Sequence, residues 1–181
     1  MTVTELAESS TGPDWPDDIH RVLRNFDVRQ ISHVPDAGHS KLLNLCEADP
    51  SMRVVTLTTE EEGVALALGA WLGGQRAALL VQSSGVGNTI NMLGLTRTCR
   101  FPFLMLVTMR GEWGEFNPWQ VAMGQATRDV LKSMGVLVLD VTEAEAVRET
   151  VVAAARLAFD SFNPVAVTLS QRLIGTKAFE E

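Results

Sequence analysis

Cysteine is scarce in this chain, and the two cysteines that occur lie far apart. Cys46 and Cys99 are the only ones among 181 residues, and their spacing fits no metal-binding motif. We therefore expect two buried free thiols rather than a disulfide, a pattern typical of proteins from reducing compartments. The chain is accordingly predicted to be cytoplasmic.

Long apolar runs and basic clusters are also lacking. No apolar stretch approaches the roughly 18 residues that a membrane-spanning helix requires. Residues 1–18 have neither the basic start nor the apolar segment of a secretory signal. The formal net charge is −7, without the clustered cations that bind phosphate backbones. We therefore expect neither a membrane nor a nucleic-acid partner.

Strand and helix signals alternate along the rest of the chain. Residues 1–14 are predicted to form a disordered leader, and residues 15–181 one domain with a substantial core. Strands are predicted at 28–34, 53–58, 77–82, 102–108, 136–139 and 164–169, and helices at 15–25, 38–47, 61–72, 85–98, 124–133 and 143–159. Because the strands are apolar on both faces, the pattern favours the α/β class. We expect a doubly wound, mostly parallel six-stranded sheet with helices on both faces.

Polar residues follow four of the predicted strands, where a doubly wound sheet binds its ligands. One of these loops carries three consecutive carboxylates, Glu60, Glu61 and Glu62. We predict Glu60 to be the last residue of its strand, facing the ligand crevice. The alternative is a solvated acidic first turn, because Glu is favoured beside a helix N-terminus.

The next two loops each allow two interpretations. Gly85 and Gly87 open a predicted helix, so the amides around them could hold an anion, or the glycines could form only a tight turn. Arg110 could clamp a carboxylate, phosphonate or sulfonate, or it could form a surface ion pair with Glu112 or Glu115.

Several residue types lack the partners that a complete catalytic set needs. His39 has no neighbour at metal-ligand spacing and is expected to be a surface or capping residue. The aromatic residues Trp113, Phe116 and Trp119 are expected to form a partner interface. The sequence contains no GxxxxGK[ST] motif and no Ser-His-Asp elbow, so no metal site and no nucleotide-hydrolysing chemistry is predicted.

Four ordered segments resemble the pyrimidine-binding domain of thiamine diphosphate enzymes. The resemblance is greatest to the α subunit or N-terminal half of sulfopyruvate and phosphonopyruvate decarboxylases, and it spans residues 28–172. The segments are TTEEEGVALALGAWLGG, VQSSGVGNTIN, FPFLMLVTMRGEWGE and PWQVAMGQATRDVLKSMGV. In that family a separate domain with a GDG motif binds Mg2+ and the diphosphate, and this sequence contains no GDG. The resemblance therefore implies a hetero-oligomer in which a separate β subunit holds the Mg2+.

The resemblance also implies roles for individual residues. Glu60 is assigned the hydrogen bond to N1′ of the aminopyrimidine, because Gly63, Ala67 and Gly69 follow it at the family's spacing; Glu61 remains the alternative. Residues implied to line the cofactor site are Gly85, Val86, Gly87 and Asn88. Residues implied to line the substrate side are Pro35, Asp36, Ala37, His39, Ser84 and Arg110.

The reaction implied by the resemblance is decarboxylation of a three-carbon 2-oxo acid that carries a terminal anion. Sulfopyruvate, giving sulfoacetaldehyde and CO2, is the first expectation. Phosphonopyruvate, or another thiamine-dependent lyase or synthase reaction, is the alternative. Leu68-Gly69-Ala70 stands where many members carry Asp-Gly-Tyr, which argues against pyruvate or acetolactate chemistry. A non-catalytic α/β binding module is the remaining interpretation.

Overall fold

Six parallel strands form the centre of the fold in the computed structural model, which describes residues 14–175. The strands are β1 (Val28–His33), β2 (Arg53–Thr56), β3 (Arg76–Gln82), β4 (Phe103–Thr108), β5 (Leu137–Val141) and β6 (Pro164–Leu169). Their order in the sheet is β2-β1-β3-β4-β6-β5, and every neighbouring pair is parallel. The predicted α/β class and six-stranded parallel sheet are confirmed.

Helices cover both faces of this sheet, as the alternating pattern predicted. The described helices are α1 (Trp15–Asn25), α2 (Ser40–Ala48), α3 (Glu61–Leu72), α4 (Ser83–Thr89), α5 (Gly94–Cys99), α6 (Pro118–Ser133), α7 (Ala144–Phe159) and α8 (Gln171–Ile174). Helices α1, α2 and α7 contribute to the core on one face, and α3, α4 and α6 to the core on the other. All six residues of β4 are fully buried between these layers, which explains its continuous apolar sequence.

The strand order fixes where a ligand crevice can lie. After β1 the chain adds β2 on one side, and it then crosses β1 to place β3 on the other side. The connections therefore diverge between β1 and β3, which is the topological switch point of a doubly wound sheet. The loops after these two strands flank the crevice.

Two predicted helix boundaries are wrong. The helix predicted at 85–98 is two helices, α4 and α5, separated by residues 90–93. Three successive backbone bonds at the break run from residue i to i−3, from Gly94 N to Asn91 O (3.1 Å), Leu95 N to Met92 O (2.9 Å) and Thr96 N to Leu93 O (3.1 Å), which tightens the turn. The helix predicted to begin at residue 124 begins at Pro118, because the Asn117 side chain caps the Trp119 N–H (3.1 Å) and Pro118 occupies the first helical position.

The cysteine prediction holds for one residue only. Cys46 is a buried free thiol, whereas Cys99 is exposed at the end of α5. Of the predicted leader, only Asp14 falls within the described residues; its carboxylate pairs with Lys41 and its carbonyl accepts the Asp18 N–H (3.0 Å). Within residues 14–175, no helix combines the length and the apolar character needed to cross a bilayer.

Candidate functional site

Glu60 lies at the start of α3 rather than on a strand, so its predicted strand position is wrong. Sheet pairing stops at Thr56, and a short turn leads to Glu60, which occupies the N-cap position in the right-handed helical region (φ −64°, ψ −29°). The side chain is half-buried and extends toward α4, the helix that follows β3. The turn after β2, rather than the strand itself, therefore sets the direction of the Glu60 carboxylate.

Two residues of α4 define the surroundings of the Glu60 carboxylate. Asn88 donates a hydrogen bond from Nδ2 to Glu60 Oε2 (2.8 Å). A Cβ added to Gly85 would lie 2.3 Å from Glu60 Oε1, far inside van der Waals contact. Within residues 14–175, Oε1 receives no hydrogen bond. Glycine at position 85 thus creates the space for a carboxylate that has one oxygen engaged and one available.

The other two carboxylates of the triplet serve their own helix. Glu62 Oε2 accepts the Thr58 N–H (2.8 Å), which satisfies a backbone donor ahead of α3. Glu61 Oε2 accepts a hydrogen bond from the Thr59 hydroxyl (3.4 Å). The acidic first turn that the sequence offered as an alternative therefore describes Glu61 and Glu62, whereas Glu60 contacts a different element.

The predicted glycine turn at 85–87 lies inside a helix. Because α4 begins at Ser83, Gly85 lies in its first turn and Gly87 in its middle, so neither glycine forms a separate tight turn. Gly87 faces α6, since an added Cβ would lie 3.4 Å from Met123 Sδ. The Val86 side chain is fully buried in the core cluster on that face of the sheet. The glycines thus allow close approach of side chains.

Asp36 bridges the switch point between β1 and β3. Its Oδ1 accepts a hydrogen bond from Gln82 Nε2 (2.9 Å), and its Oδ2 accepts one from the Thr108 hydroxyl (2.6 Å). Ser84 extends the chain of contacts by donating to Gln82 Oε1 (2.9 Å). Three strand ends are thereby joined through one carboxylate. Pro35 and Ala37 are exposed on the same loop.

His39 is buried beneath this network, so its predicted surface position is wrong. The imidazole is 1% exposed, and Nε2 lies 3.4 Å from the Val81 carbonyl oxygen. It stands at the N-cap position of α2 without making a capping hydrogen bond. Burial lowers the pKa of His39 below its ordinary value, although the nearby Asp36 carboxylate opposes that shift. Nδ1 has no hydrogen-bond partner within residues 14–175.

Arg110 is committed to a buried ion pair, and its partner is Glu115. Arg110 Nε and Nη2 each donate to a different carboxylate oxygen of Glu115 at 2.6 Å, and both side chains are less than 10% exposed. Glu115 also accepts the N–H groups of Gly111 (3.2 Å) and Asn117 (3.0 Å). The Arg110 hydrogen bonds hold the pKa of Glu115 down at about 2. The ion pair that was expected at the surface is therefore buried, and it stabilises the 111–117 loop.

Gln171 is a site residue that the sequence analysis missed. Its Nε2 donates to Glu115 Oε2 (2.9 Å), while its Oε1 accepts the N–H groups of Glu112 (3.1 Å) and Trp113 (3.0 Å). The residue is fully buried. The position of Gln171 just after β6 could have identified it as a site residue, because all the parallel strands end at the same rim.

The predicted residues thus form two groups at the rim, and their functional roles stay predictions. Glu60, Gly85 and Asn88 meet between α3 and α4. Asp36 and Ser84 share the network above the switch point. Arg110 joins that second region through its backbone, because its N–H donates to Ser83 Oγ (3.0 Å).

Sequence comparisons place this chain in a known family. Residues 15–126 match the family model described as thiamine pyrophosphate enzyme, N-terminal TPP binding domain. The chain is 30% identical to the sulfopyruvate decarboxylase subunit alpha of Methanococcus maripaludis, over 83% of this chain and 91% of that protein. It is 35% identical to the same subunit of Methanothermobacter thermautotrophicus, over 68% and 75%. A phosphonopyruvate decarboxylase of Streptomyces viridochromogenes is 38% identical over 60% of this chain and 28% of that protein.

A solved structure shares the fold. A 2-oxoglutarate:ferredoxin oxidoreductase from Magnetococcus marinus, with 2-oxoglutarate, coenzyme A and succinyl-CoA bound, superposes with a TM-score of 0.68 and 16% identity. The match covers 88% of this chain but only 29% of that chain, so it shows the architecture alone. The family resemblance noted in the sequence is confirmed by the family model and by the relatives. This chain belongs to the thiamine pyrophosphate enzyme family and contains its N-terminal TPP-binding domain.

Proposed function

We propose that this chain is the α subunit of a thiamine diphosphate-dependent decarboxylase that converts sulfopyruvate to sulfoacetaldehyde and CO2. The observation that carries the proposal is the half-buried Glu60 carboxylate, held against Gly85 with one oxygen bound to Asn88 and the other available. The named relatives support the substrate, since two of them are sulfopyruvate decarboxylase α subunits that this chain matches over most of their length.

The available carboxylate oxygen fits an aminopyrimidine ring. A ring nitrogen that must gain a proton needs one acidic or anionic partner at hydrogen-bond distance. Glu60 Oε1 can be that partner, because the missing side chain of Gly85 leaves space beside it. Thiamine diphosphate, when bound, supplies the carbanion that attacks the oxo carbon and takes up the electrons released with CO2. Glu60 would hold or exchange the proton at the ring nitrogen.

Asn88 and Gly85 have supporting tasks in this proposal. The Asn88 amide fixes Oε2, so the carboxylate cannot rotate freely and Oε1 keeps one direction. Gly85 sets the distance of the carboxylate from α4. Such fixed orientation is worth far more in catalysis than the bare presence of a carboxylate.

The substrate is proposed to lie against the network above the switch point. Ser84 can offer hydroxyl contacts, and Asp36 is held in place by Gln82 and Thr108. Arg110 uses Nε and Nη2 for Glu115, which leaves Nη1 without a hydrogen-bond partner in residues 14–175. Because Glu115 neutralises its charge, Arg110 would give a sulfonate a directed hydrogen bond rather than a net positive field.

The other half of the site is proposed to belong to a partner subunit. The relatives are named as α subunits, which implies a second kind of subunit. We propose that a β subunit with the pyrophosphate-binding domain holds the Mg2+. The aromatic residues predicted to form a partner interface are exposed on and next to the 111–117 loop, as such a partner requires: Trp113 (52% exposed), Phe116 (42%) and Trp119 (82%).

Reconstitution tests the proposed reaction. The full chain is purified alone and together with the product of a neighbouring gene that encodes a GDG motif, and CO2 release is measured with thiamine diphosphate and Mg2+. We expect turnover of sulfopyruvate only by the pair, with phosphonopyruvate slower and pyruvate inert. Robust turnover by the isolated chain would contradict the half-enzyme proposal, and preference for pyruvate would contradict the assigned substrate.

Phosphonopyruvate is the second candidate substrate. The Streptomyces viridochromogenes relative is named phosphonopyruvate decarboxylase and is 38% identical to this chain over 111 residues. A phosphonate and a sulfonate present the same tetrahedral oxygens to Arg110, but the phosphonate can carry a second negative charge. A higher kcat/KM for phosphonopyruvate in the reconstituted pair would select it.

Replacing Gly85 by Ala tests the packing of the site. The new Cβ would lie 2.3 Å from Glu60 Oε1, so the flexible carboxylate must move and its bond to Asn88 must distort. We expect decarboxylation to fall about 10²-fold, as for other displacements of about 1 Å. The matched control is Gly94→Ala at the start of α5, because a Cβ added there would have no heavy atom within 4 Å. Equal activity of the two variants would show that Gly85 does not position Glu60.

A further inference from the structure

A basic cavity lies at the edge of the sheet opposite the proposed active site. It has a volume of about 770 Å3 and opens among the last turns of α5 and α6 and the start of β6. Its lining residues are Thr96, Arg97, Arg100, Lys132, Ser133, Gly135, Phe162 and Pro164. Glu60 stands at the carboxyl rim, so the full length of the central strands, about 20 Å, separates the two places.

Three cations line this cavity, and no carboxylate does. Arg97, Arg100 and Lys132 form no ion pair within 4.0 Å among residues 14–175, whereas other arginines such as Arg110 and Arg128 do. In a chain with a formal net charge of −7, such a local excess of positive charge is unusual.

Helix capping accounts for part of this charge only. Lys132 and Arg97 lie in the last turns of α6 and α5, where cations offset the negative end of a helix dipole. Two helix ends contribute about −0.5 each. Lys132 also lies close enough to Asp140 for their charges to interact, so the remaining positive charge rests mainly on Arg97 and Arg100. Arg100 lies beyond the last turn of α5 and is not needed for this compensation.

Three residues that line the cavity have backbone conformations with positive φ angles. Arg100 and Phe162 have positive φ angles (51° and 57°), which non-glycine residues rarely adopt, and Gly135 has φ 82°. The Thr96 and Ser133 hydroxyls are both used within their helices, on Leu93 O and Val130 O (2.7 Å each). Phe162 presents a ring that is 54% exposed and whose edge-to-face partner is Trp71. The groups that can still bind a polar ligand in this cavity are therefore mainly its three cations.

We propose that this cavity binds a small molecule that carries two or more phosphate groups. Its volume lies within the range of about 300–1,000 Å3 that is usual for small-ligand sites. Two guanidinium groups and an ammonium group match the oxygens of adjacent phosphates. Nucleotides and inorganic polyphosphates share this chemistry. The proposal is independent of the decarboxylase assignment, because it uses none of the rim residues.

Binding measurements on the full-length chain test the proposal. Tripolyphosphate and ATP are titrated into it calorimetrically at low ionic strength, with adenosine as the neutral probe. We expect saturable binding of tripolyphosphate or ATP, none of adenosine, and weakening as salt is added. ATP that binds more tightly than tripolyphosphate identifies a nucleotide as ligand, and equal binding identifies the phosphates alone; both results support the site.

Charge-neutral variants locate the binding. Arg97→Gln with Arg100→Asn removes two cations while keeping a residue at position 100 that tolerates positive φ. We expect each lost charge to weaken binding about tenfold. The control pair, Arg148→Gln with Arg156→Gln, neutralises two exposed arginines on α7 that line a different cavity. Absence of saturable binding, or equal weakening in both pairs, would overturn the proposal; a Glu60→Gln chain should bind normally.

Discussion

Decarboxylation by the reconstituted enzyme is expected to fall about 10²- to 10⁴-fold when Glu60 is replaced by Gln, the range typical of general acid–base groups. The amide keeps the shape of the carboxylate and can still meet Asn88, but it cannot hold a proton for the pyrimidine ring. Subunit assembly should be unchanged, because Glu60 is half-buried and its described side-chain hydrogen bond is to Asn88 of the same chain. Single-turnover CO2 release with saturating thiamine diphosphate measures the effect.

Glu61→Gln is the matched control for this experiment. Glu61 follows directly in the sequence, but its carboxylate contacts the Thr59 hydroxyl at the start of its own helix. We expect the Glu61 variant to retain most activity. If activity fell strongly with Glu61→Gln and only slightly with Glu60→Gln, the activating carboxylate would be Glu61 and not Glu60.

Replacing Glu115 by Ala is expected to lower the free energy of unfolding by about 3–5 kcal/mol, as when one member of a buried ion pair is removed. The substitution leaves the Arg110 guanidinium buried without its bidentate partner. It also removes the acceptor for the Gly111 and Asn117 N–H groups and for Gln171. Urea unfolding of the isolated chain at pH 7 measures the loss. The exposed Glu149 on α7 provides the control, since Glu149→Ala should change stability by less than about 0.5 kcal/mol.

The same pair predicts how stability changes in acid. The pKa of Glu115 is about 2 in the fold and 4.5 as its ordinary value. The unfolded chain therefore binds this proton first as the pH falls, so the pair's stabilisation is complete above pH 4.5 and is lost progressively toward pH 2. Glu115→Gln should flatten that part of the acid unfolding curve. A variant with an unchanged acid limb would show that Glu115 is not the group responsible.

The fold followed from the sequence because its central strands β3, β4 and β6 are buried on both faces. The run from Phe103 to Thr108 has no polar alternation, since the sheet covers its edges and helices cover its faces. Edge strands were harder to delimit. The predicted strand 53–58 ends at Thr56, because the following turn depends on the helix to which it leads. Residues 90–93 likewise break a helix through local i to i−3 bonds that periodicity does not indicate.

The sequence predicted which edge of the sheet holds the site residues, but it did not predict the contacts among them. The positions of Glu60, Asp36 and Arg110 after parallel strands place them at one edge of the sheet. Which acid neutralises Arg110 depends on the path of the 111–117 loop, where Gly111 at φ 77° permits a turn against α6. The closeness of Glu60 to Gly85 is equally a tertiary property, because it joins residues of two different helix starts.

The position of β6 in the sheet has a consequence for the protein's biosynthesis. β6 is the last of the six described strands to leave the ribosome, yet it lies between β4 and β5. Until residues 164–169 emerge, β5 has no described strand partner, and one edge of the almost wholly apolar β4 stays uncovered. An unpaired apolar edge is a template for association with other nascent chains. The sheet can therefore be completed only when translation of this domain is nearly finished.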